Sequence, residues 1–499
     1  MKYQSTRNAA VSVSSAEAIR NGIAPDGGLY VPSADCKVTL EEISALSKLS
    51  YTALAAEILS RFLTDYTPEE LADCTASAYT KEKFGTDTIV PVYKLDDTAY
   101  VLELWHGPTC AFKDMALQIL PHLLTRAVKK TGDDREMVIL VATSGDTGKA
   151  ALEGFKNVEG TKIQVFYPKD GVSEIQRLQM TTQEGANVDV VAVEGNFDDA
   201  QSGVKRIFTD AAFGKEMQAL GYGFSSANSI NWGRLAPQIV YYFAAYCDLL
   251  RNGEIKLGDS INICVPTGNF GNILAAYYAK SMGLPVAKLI CASNTNNVLT
   301  DFIRTGTYNR NRTFETTLSP SMDILISSNL ERFLYHASGR DDALVRKYME
   351  ELAVSGQYTV SGALKSVIQD VFYAGYCNDE QTIAAIHDTF AADRYVVDTH
   401  TAVAVHVYRQ YVSETGDQTK TVIASTANPC KFNTAVVTAL AGKQSVEGKD
   451  EFQLLQMLSD IGSIRIPKPL KELKNKFVRF HEVCTRDTLK EQTRRFLNL

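Results

Sequence analysis

The stretch MVILVATSGDTGKAALEGFKNVEGTKIQVFYP, residues 137–168, decides the fold class. It contains two apolar-rich runs, 137–143 and 162–168, with a helical segment from Thr147 between them. Apolar strands separated by helices of about 10 to 15 residues are typical of a parallel sheet that is covered by helices on both faces. We therefore predict an α/β protein with parallel sheets flanked by helices.

The same alternation continues on both sides of this stretch. Further strands are predicted at 88–95, 100–105, 188–193, 261–268, 287–294, 394–408 and 421–429. Residues 1–90 differ, because apolar residues there recur at three- to four-residue spacing, which predicts helices over 39–48, 51–63 and 68–80. We predict a mostly helical N-terminal domain (1–90), a ligand-binding region of two α/β subdomains (91–440) and a C-terminal helical extension (441–499).

Composition excludes several classes of protein. The net charge of −7 argues against attraction to nucleic acid or to a membrane surface, since both are polyanionic. No run of 18 apolar residues predicts a membrane-spanning helix, and the first residues lack the apolar core of a signal peptide. The nine cysteines form no CxxC pair, so we expect reduced thiols, no metal site and a cytoplasmic location.

Ligands of parallel sheets bind at the carboxyl ends of the strands, so the turns there carry the functional information. The turn in VPTGNFGN (265–272) contains Gly268, Asn269, Phe270, Gly271 and Asn272. Glycines allow backbone N–H groups to surround an anion, and the following helix N-terminus adds positive potential. The turn is therefore a candidate phosphate site, or else a purely structural strand–helix connection, and it lacks the dinucleotide-binding GxGxxG pattern.

A second turn, in VATSGDTGKA (141–150), does not match a nucleotide-binding P-loop, because Thr143 and Ala150 stand where glycine and Ser or Thr are needed. Its hydroxyl and N–H groups at a helix start can hold a carboxylate or simply cap the helix.

A third turn, in SSANSINWGRLAPQ (225–238), offers Asn228, Ser229, Asn231 and Arg234. An arginine beside amide and hydroxyl groups suits a phosphate dianion, although a surface arginine at a helix start is the alternative.

The stretch WHGPTCAFKDMALQ (105–118) places Lys113 at the start of a helix. One face of that helix is apolar and consists of Ala116, Leu117, Leu120, Leu123, Leu124 and Ala127. The amine of Lys113 is then expected to point toward the strand ends, where desolvation lowers its pKa and lets it attack carbonyl groups. Pyridoxal 5′-phosphate requires such an amine, and its phosphate and a phosphorylated substrate would each occupy one anion site. Thr426, after the strand in IASTANPCKFNTA (423–435), can bond to a ligand ring nitrogen or cap the next helix.

Taken together, HGPTCAFKDMALQ, ATSGDTGKAA, NSINWGRLAPQ, PTGNFGN and YQSTR…GIAPDGGLYVP resemble the threonine synthase family, in its long form with an extra N-terminal domain. The resemblance runs from about residue 3 to about residue 440 and implies the tryptophan-synthase-β-like fold (fold type II) with pyridoxal phosphate as cofactor. It implies conversion of O-phospho-L-homoserine and water to L-threonine and phosphate, by γ-elimination and β-hydration, in a monomer or homodimer.

The resemblance also implies roles for individual residues. Lys113 matches the Schiff-base lysine, and Thr426 matches the hydroxyl that faces the pyridine nitrogen. The loop of Gly268, Asn269, Phe270, Gly271 and Asn272 matches the site of the cofactor phosphate. Thr143, Ser144, Asp146 and Thr147 match the turn that holds the substrate carboxylate and flanks the cofactor, and Asn228, Ser229 and Arg234 match the group around the substrate phosphate. Asp146 replaces the asparagine of short forms, so it either accepts a hydrogen bond or is protonated.

Two other functions remain open at this point. One is a different lyase of the same fold, such as a serine or threonine dehydratase or a β-replacement synthase, none of which needs a second anion site. The other is a binding protein that has kept the fold without catalysis.

Overall fold

The computed structural model describes residues 1–143, 145–170 and 172–499, and its N-terminal part combines helices with a small sheet. The elements up to residue 90 are β1 (Tyr3–Ser5), β2 (Asn8–Val13), α1 (Ser15–Asn21), β3 (Tyr30–Pro32), α2 (Leu40–Leu46), α3 (Tyr51–Ser60), α4 (Pro68–Ala78) and α5 (Lys81–Phe84). The three predicted helices are confirmed as α2, α3 and α4. Thr39 and Thr67 begin two of them through reciprocal hydrogen bonds with Glu42 and Glu70. The antiparallel sheet β2-β1-β3 was not predicted.

Strands and helices alternate through the rest of the chain. The strands are β4 (Val92–Lys94), β5 (Ala99–Glu103), β6 (Glu136–Ala142), β7 (Thr161–Pro168), β8 (Val188–Glu194), β9 (Tyr222–Ser225), β10 (Ile261–Pro266), β11 (Val286–Ser293), β12 (Thr307–Asn309), β13 (Gln357–Thr359), β14 (Phe372–Tyr376), β15 (Thr421–Ser425) and β16 (Val483–Thr485). The helices are α6 (Asp114–Leu117), α7 (Leu120–Lys130), α8 (Asp146–Phe155), α9 (Glu174–Thr181), α10 (Phe197–Thr209), α11 (Ala211–Ala219), α12 (Trp232–Arg251), α13 (Gly271–Met282), α14 (Val298–Thr305), α15 (Leu330–Ala337), α16 (Asp342–Ser355), α17 (Gly362–Val371), α18 (Asp379–Asp393), α19 (Thr399–Thr415), α20 (Asn433–Ala441), α21 (Glu451–Gly462), α22 (Lys468–Lys471) and α23 (Leu489–Phe496). Short 3-10 helices span Pro320–Met322, Pro429–Lys431, Lys443–Val446, Glu472–Asn475 and Arg486–Thr488.

Two large sheets organise this region. Within the described residues their strand orders are β14-β11-β10-β15-β5-β4 and β16-β8-β7-β6-β9, and every neighbouring pair is parallel except β4 with β5. The predicted α/β class with parallel sheets is confirmed. The turns singled out in the sequence follow β6, β9, β10 and β15, so each begins at the carboxyl end of a strand. A further pair, β12 with β13, is antiparallel.

Two sequence predictions were wrong in detail. Residues 394–408 were predicted as a strand, but most of them belong to helix α19, which begins where the Asp398 side chain accepts hydrogen bonds from the N–H groups of His400 and Thr401. Nearly all of the first ten residues of α19 are buried, which removes the polar face that marks a surface helix. The helix after Lys113 is divided into α6 and α7, because Pro121 has no N–H to donate to Leu117.

The N-terminal domain docks against α12 through aromatic side chains. Trp232, fully buried, packs against Tyr3, Phe62 and Tyr278, with ring centroids 5.4, 5.6 and 5.4 Å away. One hydrophobic core therefore includes residues from the N-terminal domain and from both large sheets. Trp232 stands two residues before Arg234, so this packing also positions the start of α12.

Over the residues that the structure describes, no helix has the length and apolarity needed to span a membrane. In the same residues, no group of three or more His, Cys, Asp or Glu side chains is arranged to hold a metal ion. The nine cysteines all lie in the described part of the chain and are unpaired.

Candidate active site

Lys113 lies beside the end of strand β15. Residues 110–112 run along 426–428: Phe112 N–H donates to the carbonyl of Thr426 (2.8 Å), and Asn428 N–H donates to that of Cys110 (3.0 Å). The lysine Nζ donates to Ser321 Oγ (3.3 Å) and lies 4.0 Å from Asp146 Oδ2. Its side chain is 12% exposed. The amine is therefore largely shielded from water and faces the predicted ligand turns.

The turn before Lys113 is held by Asp114. Its carboxylate accepts hydrogen bonds from the N–H and the hydroxyl of Thr109, both at 2.8 Å, and burial raises its pKa to about 7. A side chain on Gly107 would meet Asp114 Cβ at 2.5 Å, so only glycine fits there. A glycine precedes the lysine at this turn because the chain must approach Asp114 closely to bring Lys113 to the strand end.

Asp146, at the start of α8, is bound by a second lysine. Lys431 Nζ lies 2.6 Å from Asp146 Oδ1, Gln176 Nε2 donates to the same oxygen (3.1 Å), and both charged side chains are buried. Burial alone would raise the pKa of Asp146, but the charges of Lys431 and Lys113 hold it well below its usual range. Asp146 is thus an ionised acceptor, which resolves the alternative left open by the sequence.

The charges around Lys113 set its pKa. Burial and the cations Lys431 and Arg234 lower the pKa of Lys113, the Asp146 carboxylate opposes them, and together they bring it to about 8. About half of such amines are unprotonated at pH 8, far more than for an exposed lysine.

The turn 268–272 adjoins the same lysine through Ser321. A Cβ on Gly268 would lie 2.9 Å from the Ser321 carbonyl, and Ser321 Oγ is the hydrogen-bond partner of Lys113. Phe270 adopts a left-handed conformation (φ 63°), and α13 starts at Gly271 with its first N–H groups at the turn. Residues 268–272 are therefore close to the amine, as the sequence predicted.

Asn272 gives this turn a further donor. Its Oδ1 accepts hydrogen bonds from the hydroxyls of Tyr241 (2.7 Å) and Tyr242, so its NH₂ group faces the opposite way. That Nδ2 is buried and has no hydrogen-bond partner among the described residues. An unpartnered buried donor at a helix N-terminus suits an anion such as a phosphate group.

Arg234 lies in the first turn of α12 and is buried. Its Nη1 donates to the carbonyl of Ala227 (2.7 Å), while its Nε has no partner among the described residues. Burial lowers its pKa to about 10. Asn228 and Ser229, in the preceding turn, are partly exposed. Asn231, in contrast, caps α12 by accepting from Gly233 N–H (2.8 Å), so it has a structural role.

The other predicted ligand groups differ in how their hydroxyls are used. Thr143 Oγ1 accepts from the N–H groups of Gly145 and Gly148, both at 3.0 Å, and so caps α8. Thr147 is partly buried, and Ser144 lies outside the described residues. Thr426 is buried, and no side-chain hydrogen bond engages its hydroxyl within the described chain. In the structure, Thr426 and Asp146 therefore lie beside Lys113, whereas the hydroxyl of Thr143 caps helix α8.

Three contacts of this site escaped the sequence analysis: Lys431, Gln176 and Ser321. Lys431 belongs to the quoted stretch IASTANPCKFNTA, where a lysine within a strand-end turn was a usable signal. Ser321 comes from the irregular region 310–390 and carried no pattern. His400 contributes indirectly, because its Nε2 accepts from Ser321 N–H (3.1 Å) and its Nδ1 bonds to Asp398 (3.0 Å).

The fold and the lysine site are those expected of a pyridoxal-phosphate family, and the family model described as "Pyridoxal-phosphate dependent enzyme" matches residues 89–427. Two further models, "Threonine synthase N terminus" and "Threonine synthase, C-terminal", match residues 2–79 and 401–490. The chain belongs to the threonine synthase family.

Known proteins agree with this membership. "Threonine synthase-like 1" of Homo sapiens is 40% identical over 91% of this chain and 61% of its own length, and "Threonine synthase" of Pseudomonas aeruginosa is 39% identical over 89% and 91%. The chain thus spans only about three fifths of the first of these relatives. Among solved structures, PLP-bound threonine synthase from Brucella melitensis has 37% identity and a TM-score of 0.88, covering 99% of both chains. Threonine synthase from yeast has 32% identity and a TM-score of 0.88, covering 100% of this chain and 99% of that one.

The residues present fit pyridoxal phosphate. A shielded amine, an N–H-rich turn with the unpartnered Asn272 Nδ2, and a hydroxyl at Thr426 lie around one crevice. These are the groups that an aldehyde, a phosphate and a ring nitrogen require.

Proposed function

We propose that the protein is a threonine synthase, which converts O-phospho-L-homoserine and water to L-threonine and phosphate. One observation carries this proposal: a largely buried lysine lies near two candidate anion sites. One is the 268–272 turn, and the other contains Arg234, a buried cation with an unpartnered Nε. A cofactor phosphate needs one such site, and a second is required only if the substrate is also phosphorylated.

The cofactor would be held by residues from several elements. Lys113 would bind the aldehyde carbon of the cofactor, and Thr426 would bind its ring nitrogen. The phosphate of the cofactor would be held by the turn of Gly268, Asn269, Phe270, Gly271 and Asn272. The ionised carboxylate of Asp146 would accept a hydrogen bond near the 3′-oxygen of the cofactor. When bound, pyridoxal phosphate delocalises the negative charge left on the substrate α-carbon after proton loss. A hydroxyl partner such as Thr426 does not require a full positive charge on the ring nitrogen, which limits side reactions.

The chain's own residues would then move protons and stabilise charge. Lys113, with its lowered pKa, would take the proton from the α-carbon. The β-carbon would then lose a proton, and its electron pair would form the bond to the γ-carbon as the bond from the γ-carbon to the ester oxygen breaks and the phosphate leaves with that bond's electron pair. Arg234, Asn228 and Ser229 would stabilise that dianion through charge-assisted hydrogen bonds. The γ-carbon would next gain a proton to become a methyl group, the hydroxyl of water would add at the β-carbon, and a proton would return to the α-carbon, which gives threonine.

The turn at the start of α8 would bind the substrate carboxylate. Thr147 would supply a hydroxyl there, Ser144, outside the described residues, is proposed for the same role, and the helix N-terminus would add positive potential. Thr143 supports this turn from behind through its cap on Gly145 and Gly148.

The test is Lys113→Ala assayed beside wild type. We expect loss of turnover of O-phospho-L-homoserine and loss of the cofactor's visible absorbance, because the variant lacks the amine proposed to bind the aldehyde. Wild-type turnover in this variant contradicts the assignment. Parallel assays with serine and threonine separate this function from a dehydratase, which would release ammonia from those substrates and ignore phosphohomoserine.

We further propose that the protein acts in the cytoplasm as a monomer or homodimer and binds no nucleic acid. Unpaired thiols throughout the chain support a reducing compartment. We also propose that the chain is divided into an N-terminal domain (1–90), a central region (91–440) and a C-terminal extension (441–499). Because β16 of the extension pairs with β8 of the central region, we expect the extension to unfold together with that sheet. Light scattering and limited proteolysis test these points.

A further inference from the structure

We propose that Asn329 and Arg332 form a clamp that sets the spacing between the two anion sites and couples that spacing to the N-terminal domain. The inference rests on the proposed function in one respect: it takes the 268–272 turn and the 228–234 segment to be those sites.

Asn329 contacts both sites with one side chain. Its Nδ2 donates to the carbonyl of Asn269 (3.1 Å) and to Ser229 Oγ (3.2 Å), and its backbone N–H also donates to the Asn269 carbonyl (3.1 Å). Asn329 is fully buried. The two segments are in fact adjacent, because a Cβ on Gly271 would lie 3.5 Å from Asn329 Nδ2 and 3.9 Å from Ser229 Cβ. A single amide therefore spaces the two sites.

Arg332 fixes the orientation of that amide. Its Nη1 donates to Asn329 Oδ1, and a guanidinium group can only donate hydrogen bonds. The oxygen of the Asn329 amide must therefore face Arg332, which turns the NH₂ group toward Asn269 and Ser229. A flipped amide would place its oxygen against the Asn269 carbonyl.

The same arginine reaches the N-terminal domain. Its Nε donates to the carbonyl of Tyr30 in β3 (2.9 Å), and its Nη2 donates to the carbonyl of Ile230, in the turn before α12. These acceptors are all neutral, and the adjacent carboxylate of Glu331 is bound by Arg7 at 2.7 Å. Arg332 is thus a fully buried cation tied to three neutral oxygens. Placing such a charge in the interior is costly unless it serves an anion or a specific geometry.

Arg340 provides a matched control. It also links the N-terminal domain to the region after α15, through the carbonyl of Pro32 (2.8 Å) and the carboxylate of Asp35 (2.7 Å), but it does not touch Asn329. Arg340→Met therefore removes only contacts between the N-terminal domain and the rest of the chain. Arg332→Met removes such a contact and also the hydrogen bond that orients Asn329.

The experiment measures two anions separately and without turnover: pyridoxal phosphate binding to apoprotein, and inorganic phosphate binding to holoenzyme by calorimetry. Asn329→Ala removes the side-chain hydrogen bonds to both segments and keeps the backbone one to Asn269, so we expect both dissociation constants to rise by about five- to tenfold, the equivalent of roughly one hydrogen bond each. Asn329→Asp should weaken both further, since it brings a carboxylate next to two dianions. Arg332→Lys should restore part of what Arg332→Met loses, and Arg340→Met should match wild type in both measurements.

A double-mutant cycle gives the signature that a general structural defect does not produce. In a Ser229→Ala background, Asn329→Ala should weaken phosphate binding by less than it does in wild type, because one shared bond is already missing. The clamp is overturned if Asn329→Ala affects only one anion, if its effects equal those of Arg340→Met, or if the cycle is additive. Since Asn329→Ala leaves both arginines and their contacts with the N-terminal domain in place, it decides the matter even if the arginine variants do not fold. Wild type that binds both anions but fails to convert phosphohomoserine would refute the proposed function and leave the clamp standing.

Discussion

The pKa of Lys113 depends on the nearby ion pair between Asp146 and Lys431. Replacing Asp146 should lower this pKa, and replacing Lys431 should raise it. Two unit charges separated by the 4.0 Å between Lys113 Nζ and Asp146 Oδ2 interact by about 4 kcal/mol at an effective dielectric constant of about 20. Since about 1.4 kcal/mol corresponds to one pH unit, Asp146→Asn lowers the pKa of Lys113 by at most about 3. Lys431, 2.6 Å from the carboxylate, cancels part of that attraction, so we expect a decrease of about 1 to 2 from the starting value of about 8.

Lys431→Met should have the opposite effect. The carboxylate of Asp146 then acts on Lys113 without a competing cation, which stabilises the ammonium form and raises the pKa of Lys113. Each single variant also leaves one buried charge unpaired, at a cost of about 3–5 kcal/mol in the free energy of unfolding. The double variant Asp146→Asn/Lys431→Met removes both charges and should recover most of that stability, which makes it the control for folding.

The assay is competitive labelling of amines in the apoprotein as a function of pH, with mass spectrometry of the peptide that carries Lys113. Only the unprotonated amine reacts, so the labelling rate rises as the pH passes the pKa. Curves displaced in the same direction by both single variants, or unmoved by either, would refute the reasoning. Urea denaturation of the four proteins measures the stability differences.

Two further predictions follow from the second anion site and from the domain contact. Arg234→Met should raise the KM for O-phospho-L-homoserine by about 10- to 100-fold, because a charge-assisted hydrogen bond contributes roughly 1.5–3 kcal/mol. The affinity for pyridoxal phosphate should stay the same. Equal losses of affinity for both ligands would show that Arg234 does not bind the substrate phosphate. Trp232→Ala should lower the free energy of unfolding by about 3–5 kcal/mol in calorimetry or urea denaturation, since it empties the contact with Tyr3, Phe62 and Tyr278; a loss similar to that of Phe477→Ala, at an exposed site, would contradict this role.

Much of the architecture was predictable from local patterns. The apolar-rich runs at 137–143 and 162–168 form β6 and β7, and the residue types after β6, β9, β10 and β15 indicate the strand-end turns from the sequence alone. Periodicity of this kind depends on neighbours in sequence, so the chain reveals it directly. The prediction failed at 394–408, because α19 is buried on most of its surface and an all-apolar helix has no periodicity to distinguish it from a strand.

The candidate site was predictable only in part. Lys113 and the 268–272 turn carry recognisable residue types, and the structure brings them together through Ser321. The assigned roles of the individual ligand residues stay predictions. The hydroxyl of Thr143 had two possible uses in the sequence, and only the coordinates show that it caps α8.

By itself, the sequence determined the alternation of strands and helices, the edge of the sheet at which ligands bind, and the lysine expected to act there, since these follow from periodicity and from residue chemistry. Only the tertiary structure decided that Lys431 pairs with Asp146 and that Asn329 and Arg332 connect the 268–272 turn and the 228–234 segment to the N-terminal domain. Those contacts connect residues up to about 300 positions apart. Their energies depend on burial and on distances of a few ångströms, which exist only once the chain has folded.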